Sequence, residues 1–123
     1  MKQAEESGFL HLIRASGYSW QGLQAAWHHE IAFRMEVVFC SMMVPVGMLL
    51  GDGAVERALL IGSLFIVLIT ELLNSAVEAV VDQQGLEWNA YAKRAKDLGS
   101  AAVFMSVGLG VMVWGMIFAE KLG

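Results

Sequence analysis

Residues 58–81 read ALLIGSLFIVLITELLNSAVEAVV, and Asp82 follows directly. The stretch is apolar enough to cross a membrane, yet it carries Glu71, Asn74 and Glu78. Steps of three, four and four residues place Glu71, Asn74, Glu78 and Asp82 on one face of a helix. A carboxylate at the centre of a bilayer costs about 2.5–3.5 kcal/mol on insertion scales, so such groups usually line a site or a pathway. Two of them on one stripe, with an amide between, suggest metal-assisted chemistry at a membrane. From spacing alone, Glu71 could equally be a protonated carboxyl bonded to a neighbouring helix.

The whole chain fits that reading. It has 123 residues, 57% of them hydrophobic, with four Trp and eight Met, and its mean hydropathy is +0.57. These values suit a small integral membrane protein better than a soluble domain. A formal charge of -4 argues against a nucleic-acid partner. The single cysteine, Cys40, excludes an intrachain disulfide framework. The apolar patch from Phe9 to Ile13 is too short for a signal-peptide core, so no cleavage is expected.

Two further spans flank this one, which is the second of three. One runs from about Ile31 to Leu50 and contains Pro45, which membrane helices tolerate when neighbours satisfy the freed backbone groups. Gly51-Asp52-Gly53 is a turn signal. The Ala58–Val81 span is roughly 36 Å long, so its far end should protrude from a hydrocarbon core of about 30 Å. The last span runs from Leu98 to Ala119 without a charged residue. No internal repeat or low-complexity tract divides the chain, so residues 1–123 form one all-α, integral-membrane domain.

Basic residues suggest an orientation. Lys2, Arg14 and Arg34 flank the first span, and Lys93, Arg94 and Lys96 precede the third; only Arg57 and Lys121 fall on the other side. The positive-inside rule puts the N-terminus and the Asp82–Asp97 loop in the cytoplasm. Glu30, Glu78 and Lys96-Asp97 then share one membrane level. Glu71 lies about 10 Å deeper than Glu78 by helical rise. A charged rim above a buried carboxylate suits a substrate with a soluble half and a lipid half.

Before the first span, Phe9, Leu12, Ile13, Ser16, Trp20, Leu23 and Trp27 recur at three- and four-residue steps. That is an amphipathic helix, over about residues 8–28, lying on the membrane surface. Gly17-Tyr18-Ser19 reads as a break in it, where the Tyr18 ring could stack on a base. Glu30 could pair with Arg34 one turn later. Lys96-Asp97 alone could mark a helix boundary. His28 and His29 are adjacent and do not share a helical face, which favours an interfacial role over metal ligation. Ser106 and Gly110 form a small-xxx-small pair suited to close helix packing. There is no GxxxxGK[ST] loop, no GxGxxG opening a helix, and no HRD or DFG triplet. A nucleotide used here would have its phosphates held by metal and Lys96.

Four blocks in order carry a resemblance over almost the whole length. They are Ala15-Ser16-Gly17-Tyr18-Ser19-Trp20, Glu30-x-Ala32-Phe33-Arg34-x-Glu36, Glu71-x-x-Asn74-Ser75-Ala76-x-Glu78-x-x-x-Asp82, and Arg94-Ala95-Lys96-Asp97-x-Gly99-Ser100-Ala101-Ala102. The chain resembles the small integral-membrane diacylglycerol kinases of Gram-negative bacteria. The resemblance implies a homotrimer of three-span protomers in the bacterial inner membrane, with active sites shared between subunits. It implies transfer of the γ-phosphate of ATP, with Mg2+, to diacylglycerol, giving phosphatidic acid.

By position, the resemblance makes Glu71 the catalytic base and assigns divalent metal to Glu30 and Glu78. His11, Tyr18, Glu30, Glu78, Glu87, Lys96 and Asp97 match nucleotide contacts. Ser19, Trp20, Trp27, Arg34, Glu36, Arg57, Glu71, Ser100 and Trp114 match the lipid-binding set, with Asn74 and Asp82 in support. Three positions depart from the family: His11 stands for arginine, Gln24 for a basic residue and His29 for asparagine. An undecaprenol kinase is the nearest alternative enzyme, and a small oligomeric cation transporter using Glu71 and Glu78 is the alternative of another class. The cytoplasmic Lys96, and the absence of a matching carboxylate near the outer face, weigh against the transporter.

Overall fold

The fold was obtained as a computed structural model that describes residues 7–85 and 87–123. Lys2, one of the residues used for orientation, lies outside the described part. The described chain forms four helices: α1 (Gly8–His29), α2 (Ile31–Leu50), α3 (Gly53–Gln83) and α4 (Ala90–Leu122). Three of them, α2, α3 and α4, are long and apolar enough to cross a membrane.

Local chemistry sets the boundaries. At the start of α1 the Ser7 hydroxyl accepts a hydrogen bond from the Leu10 N–H at 3.3 Å, a side-chain cap on groups the helix leaves unpaired. The helix runs unbroken through Gly17-Tyr18-Ser19, contrary to the break expected there. The hydroxyls of Ser16 and Ser19 turn back onto the carbonyls of Leu12 and Ala15, at 2.9 and 3.0 Å. Satisfied inside the helix, they do not compete for its backbone. The real interruption is Glu30, whose extended backbone (φ -115°, ψ 104°) separates α1 from α2. The Arg34 guanidinium donates to the Trp27 carbonyl at 3.0 Å, closing the C-terminus of α1. The Glu30–Arg34 pair that the spacing allows thus gives way to a cap that brings α1 against α2.

The α2–α3 turn is equally specified. The Gly51 N–H donates to the Gly47 carbonyl at 3.0 Å, and Arg57 Nε donates to the Met48 carbonyl at 3.1 Å. Gly53 enters α3 with φ +82°, a left-handed conformation that glycine adopts without steric cost. At the other turn Asn89 caps α4, its Oδ1 accepting from the N–H groups of Tyr91 and Ala92 at 2.8 and 3.3 Å. Residues 90–97, expected in the loop, are therefore the first two turns of α4. With 31 and 33 residues, α3 and α4 reach about 46 and 50 Å, well beyond a bilayer core.

The helices pack as an up-and-down array in which α3 is central, with α4 and α2 against it and α1 against α2. The core is thin. Phe33, Cys40, Leu60, Leu64 and Ile117 are buried, with Leu60 fully enclosed, while Leu49, Phe65, Phe104 and Met105 point outward. Gly47 admits the Trp114 ring, whose atoms lie 3.4 Å from where a Cβ would stand. Trp114 Nε1 donates to the Leu60 carbonyl at 3.1 Å and to Ser63 Oγ at 3.2 Å. A sheath of exposed apolar side chains around a small core is costly in water and suited to lipid or to another apolar surface.

A carboxylate site at one end of the bundle

Antiparallel packing of α3 on α4 puts the C-terminus of α3, the start of α4 and the α1–α2 junction at one end. The polar ladder of α3 rises toward that end. Glu71 is buried, the one such carboxylate among the described residues. Two turns later Glu78 is half-buried, and its Oε1 accepts from Asn74 Nδ2 at 3.3 Å. The carboxylates of Glu78 and of Glu30, at the helix junction, both act electrostatically on Glu71. The charge of Glu71 in turn acts on Glu36 of α2. Four acidic side chains, from α2, α3 and the α1–α2 junction, are thus coupled electrostatically through one buried position.

At the rim, Lys96 pairs with Asp82 across α3 and α4 at 2.7 Å. The Asp82 contact holds the Lys96 ammonium above the ordinary lysine range, with the Glu78 charge adding a little. Asp97 is turned to Lys93 on its own helix, at 2.6 Å. Two buried acceptor atoms, Glu36 Oε2 and Asn74 Oδ1, have no conventional hydrogen-bond donor among the described residues. A single chain thus has acceptors to spare at this end.

The donor chemistry, rather than a formed cage, is what bears on magnesium. No group of three His, Cys, Asp or Glu side chains among the described residues is placed to hold a metal. Glu30 and Glu78 supply hard carboxylate oxygens, and magnesium characteristically takes one or two of these together with substrate phosphate oxygens. The donors fit an ion that arrives with a phosphate, not one caged by protein alone.

The remaining sequence-assigned residues divide. Ser19 and Glu30 line a groove of about 660 Å³ between α1 and α3, with Gly22, Ala26, His29 and Ser75. Glu36 and Trp114 line a mainly apolar groove of about 530 Å³ across α2, α3 and α4, with Met35, Cys40, Leu64 and Val107. His11, Tyr18, Trp20 and Trp27 are exposed along α1, Glu87 lies exposed in the α3–α4 connection, and Ser100 is exposed on α4. Arg57 is not brought to the site: it lies at the opposite end, on the Met48 carbonyl. Trp114 is held in the opposite half, against Leu60.

Sequence reading missed two contacts. Asn74 is bonded to Glu78, a spacing of four that allows such a contact without demanding it. Gly99 abuts Asn74 from α4, and a Cβ at Gly99 would collide with the Asn74 amide oxygen. The only signal for the second was a glycine near the ladder's level on a neighbouring helix.

Comparison with known proteins bears on this arrangement. The family model for prokaryotic diacylglycerol kinase matches residues 17–118. A diacylglycerol kinase of Escherichia coli (strain K12) is 45% identical over 117 residues, covering 95% of this chain and 96% of the relative. One from Haemophilus influenzae is 44% identical over 111 residues, 90% of this chain and 94% of its own. One from Pseudomonas aeruginosa is 42% identical over 112 residues, 91% of each. With a buried glutamate ringed by acidic groups on membrane-length helices, and with this similarity along nearly its full length, the chain belongs to the prokaryotic diacylglycerol kinase family.

Proposed function

We propose that the protein phosphorylates diacylglycerol with ATP at the cytoplasmic face of a bacterial inner membrane, giving phosphatidic acid. The observation that carries this reading is the burial of Glu71 beside Glu30 and Glu78. A carboxylate fixed inside the bundle, below the rim, is placed to accept the proton of a lipid hydroxyl. Glu71 takes the proton of the lipid hydroxyl as its oxygen attacks the γ-phosphorus of ATP. The bond from that phosphorus to the bridging oxygen breaks, and ADP leaves. Phosphoryl transfer needs in-line positioning and charge neutralisation more than covalent help from the protein.

Glu30 and Glu78 would hold magnesium, which when bound neutralises charge on the phosphates. Lys96 exchanges Asp82 for a phosphate oxygen, and Asp97, Glu87, Tyr18 and His11 complete the nucleotide contacts. Ser19, Trp20, Trp27, Arg34, Glu36 and Ser100 receive the lipid. Arg57 and Trp114 act through the fold, since both have partners in their own chain. The protein works as a homotrimer with its N-terminus cytoplasmic and α1 on the membrane surface. The outward apolar side chains and the unfilled acceptors at the site end support both an apolar covering and a neighbouring protomer.

Lipid-dependent ATP consumption by purified protein, with diacylglycerol and undecaprenol compared side by side, tests the proposal. Turnover with diacylglycerol in preference to undecaprenol is the expected result. Preference for undecaprenol would reassign the substrate, and lipid-independent behaviour would remove the kinase reading.

A further inference from the structure

Asn74 has two polar ends and the chain uses only one of them conventionally. Its NH2 donates to Glu78 at 3.3 Å, while its buried Oδ1 meets no N–H or O–H donor among the described residues. An amide turned the other way would point an oxygen at a carboxylate, oxygen against oxygen, and lose the bond. Something must therefore favour the observed orientation. The group facing Oδ1 is Gly99 of α4. A Cβ there would overlap Oδ1 and lie 3.3 Å from the amide carbon. The hydrogen that glycine carries in that direction points at the amide oxygen instead, a weak Cα–H···O contact of the kind found between closely packed helices.

We propose that Gly99 is a positioning residue: by presenting a hydrogen in place of a side chain, it lets Asn74 sit between α3 and α4 with its NH2 fixed on the Glu78 carboxylate. The inference rests on the reading of Glu78 as a metal ligand and assigns Gly99 and Asn74 the task of aiming it. Partners that orient a ligating carboxylate typically change metal affinity or activity 10- to 100-fold when lost. Other glycines on α4 differ: a Cβ at Gly108 or Gly115 would meet nothing within 4 Å.

The test uses the full chain in detergent or nanodiscs and reads Asn74 directly. Asn74 and Asn89 are the chain's two asparagines, so isotope-labelled asparagine gives two side-chain amide signals, and an Asn89→Ser variant assigns them. Without nucleotide or metal, Gly99→Ala should move the Asn74 amide signal, and Gly108→Ala should leave it in place. In the kinase assay Gly99→Ala should raise the magnesium concentration for half-maximal rate by about tenfold, with Gly108→Ala unchanged. An unmoved Asn74 signal in Gly99→Ala, or an equal shift in Gly108→Ala, overturns the proposal.

If Gly99→Ala does not fold, Glu78→Ala serves in its place. It removes the acceptor and must shift the Asn74 signal, and an unshifted signal overturns the proposal. Failure of the metal reading looks different: Glu78→Gln would leave the magnesium dependence unaltered while the Asn74 signal still responds to Gly99→Ala.

Discussion

The two ends of the bundle hold similar residue types and use them in opposite ways. At the Asp52 end, Lys121 reaches Asp52 at 2.5 Å and Glu56 at 2.9 Å. Glu56 also accepts from the Asp52 N–H at 3.1 Å, Arg57 caps α2, and Trp114 is bonded to α3. The charged groups there are consumed in closing the fold. At the Glu78 end, a buried glutamate sits among like charges, and acceptors on Glu36 and Asn74 lack donors. Buried polar groups normally find partners, so acceptors left without a donor set this end apart from the other. One end is closed by contacts within its own sequence, and the other keeps acidic groups and acceptors that the described residues leave without donors.

That contrast predicts that changes at the Glu78 end alter turnover more than stability. The largest effect should come from Glu71→Gln. Losing a general base lowers rate by about 10²–10⁴-fold, and MgATP affinity should stay nearly intact because Glu71 lies deeper than the rim. Comparing turnover with nucleotide binding for this variant checks it. Equal loss of both would move Glu71 into the metal site.

Glu30→Gln and Glu78→Gln should come next, each lowering activity by about 10- to 100-fold with partial recovery at high magnesium. Because two carboxylates on one ion are coupled, the double variant should be less impaired than the product of the two singles. Additive losses indifferent to magnesium would separate the two residues.

Much of this contrast was legible in the chain, unevenly. The boundaries of α2 coincide with the hydrophobic run from Ile31 to Leu50, and the Glu71 ladder follows from helical spacing alone. What stayed hidden depends on contacts between helices. Arg57 and Lys121 read as a pair of minor outer charges, yet they staple both the α2–α3 turn and the end of α4. The Gly17-Tyr18-Ser19 break failed because serine hydroxyls can bond back within a helix, which composition does not reveal. Which partner Lys96 takes, and what Gly99 faces, are set by the register of α4 on α3. No periodicity within one helix encodes that register.

At the Asp52 end the expectation reverses. Arg57→Ala should lower stability by about 1 kcal/mol, the typical worth of one hydrogen bond, and Trp114→Phe should do the same by removing the indole N–H that α4 donates to the Leu60 carbonyl and the Ser63 hydroxyl. Activity per folded molecule should be unaffected. Thermal unfolding in detergent beside steady-state kinetics distinguishes the cases. A raised KM for lipid at unchanged stability would return both residues to the lipid site.

The smallest effect concerns pH. The Lys121 hydrogen bond and charge, with a further contribution from Arg57, hold the Asp52 carboxyl below the usual carboxylate range. A group whose folded pKa is depressed stabilises the fold above its unfolded pKa, about 3.9 for aspartate. That contribution is lost as pH falls through the lower, folded value. The melting temperature should therefore decline below about pH 4, and Lys121→Met should make the decline shallower while leaving neutral-pH turnover unchanged. Asp52→Asn should flatten it less, because Lys121 keeps Glu56 as a partner. The effect is small because the Asp52 side chain is 84% exposed, so water and salt screen the pair. Raising ionic strength should shrink the difference between wild type and Lys121→Met. Identical acid-side slopes for the two proteins at low salt would mean that the Asp52 end is closed by its backbone caps alone.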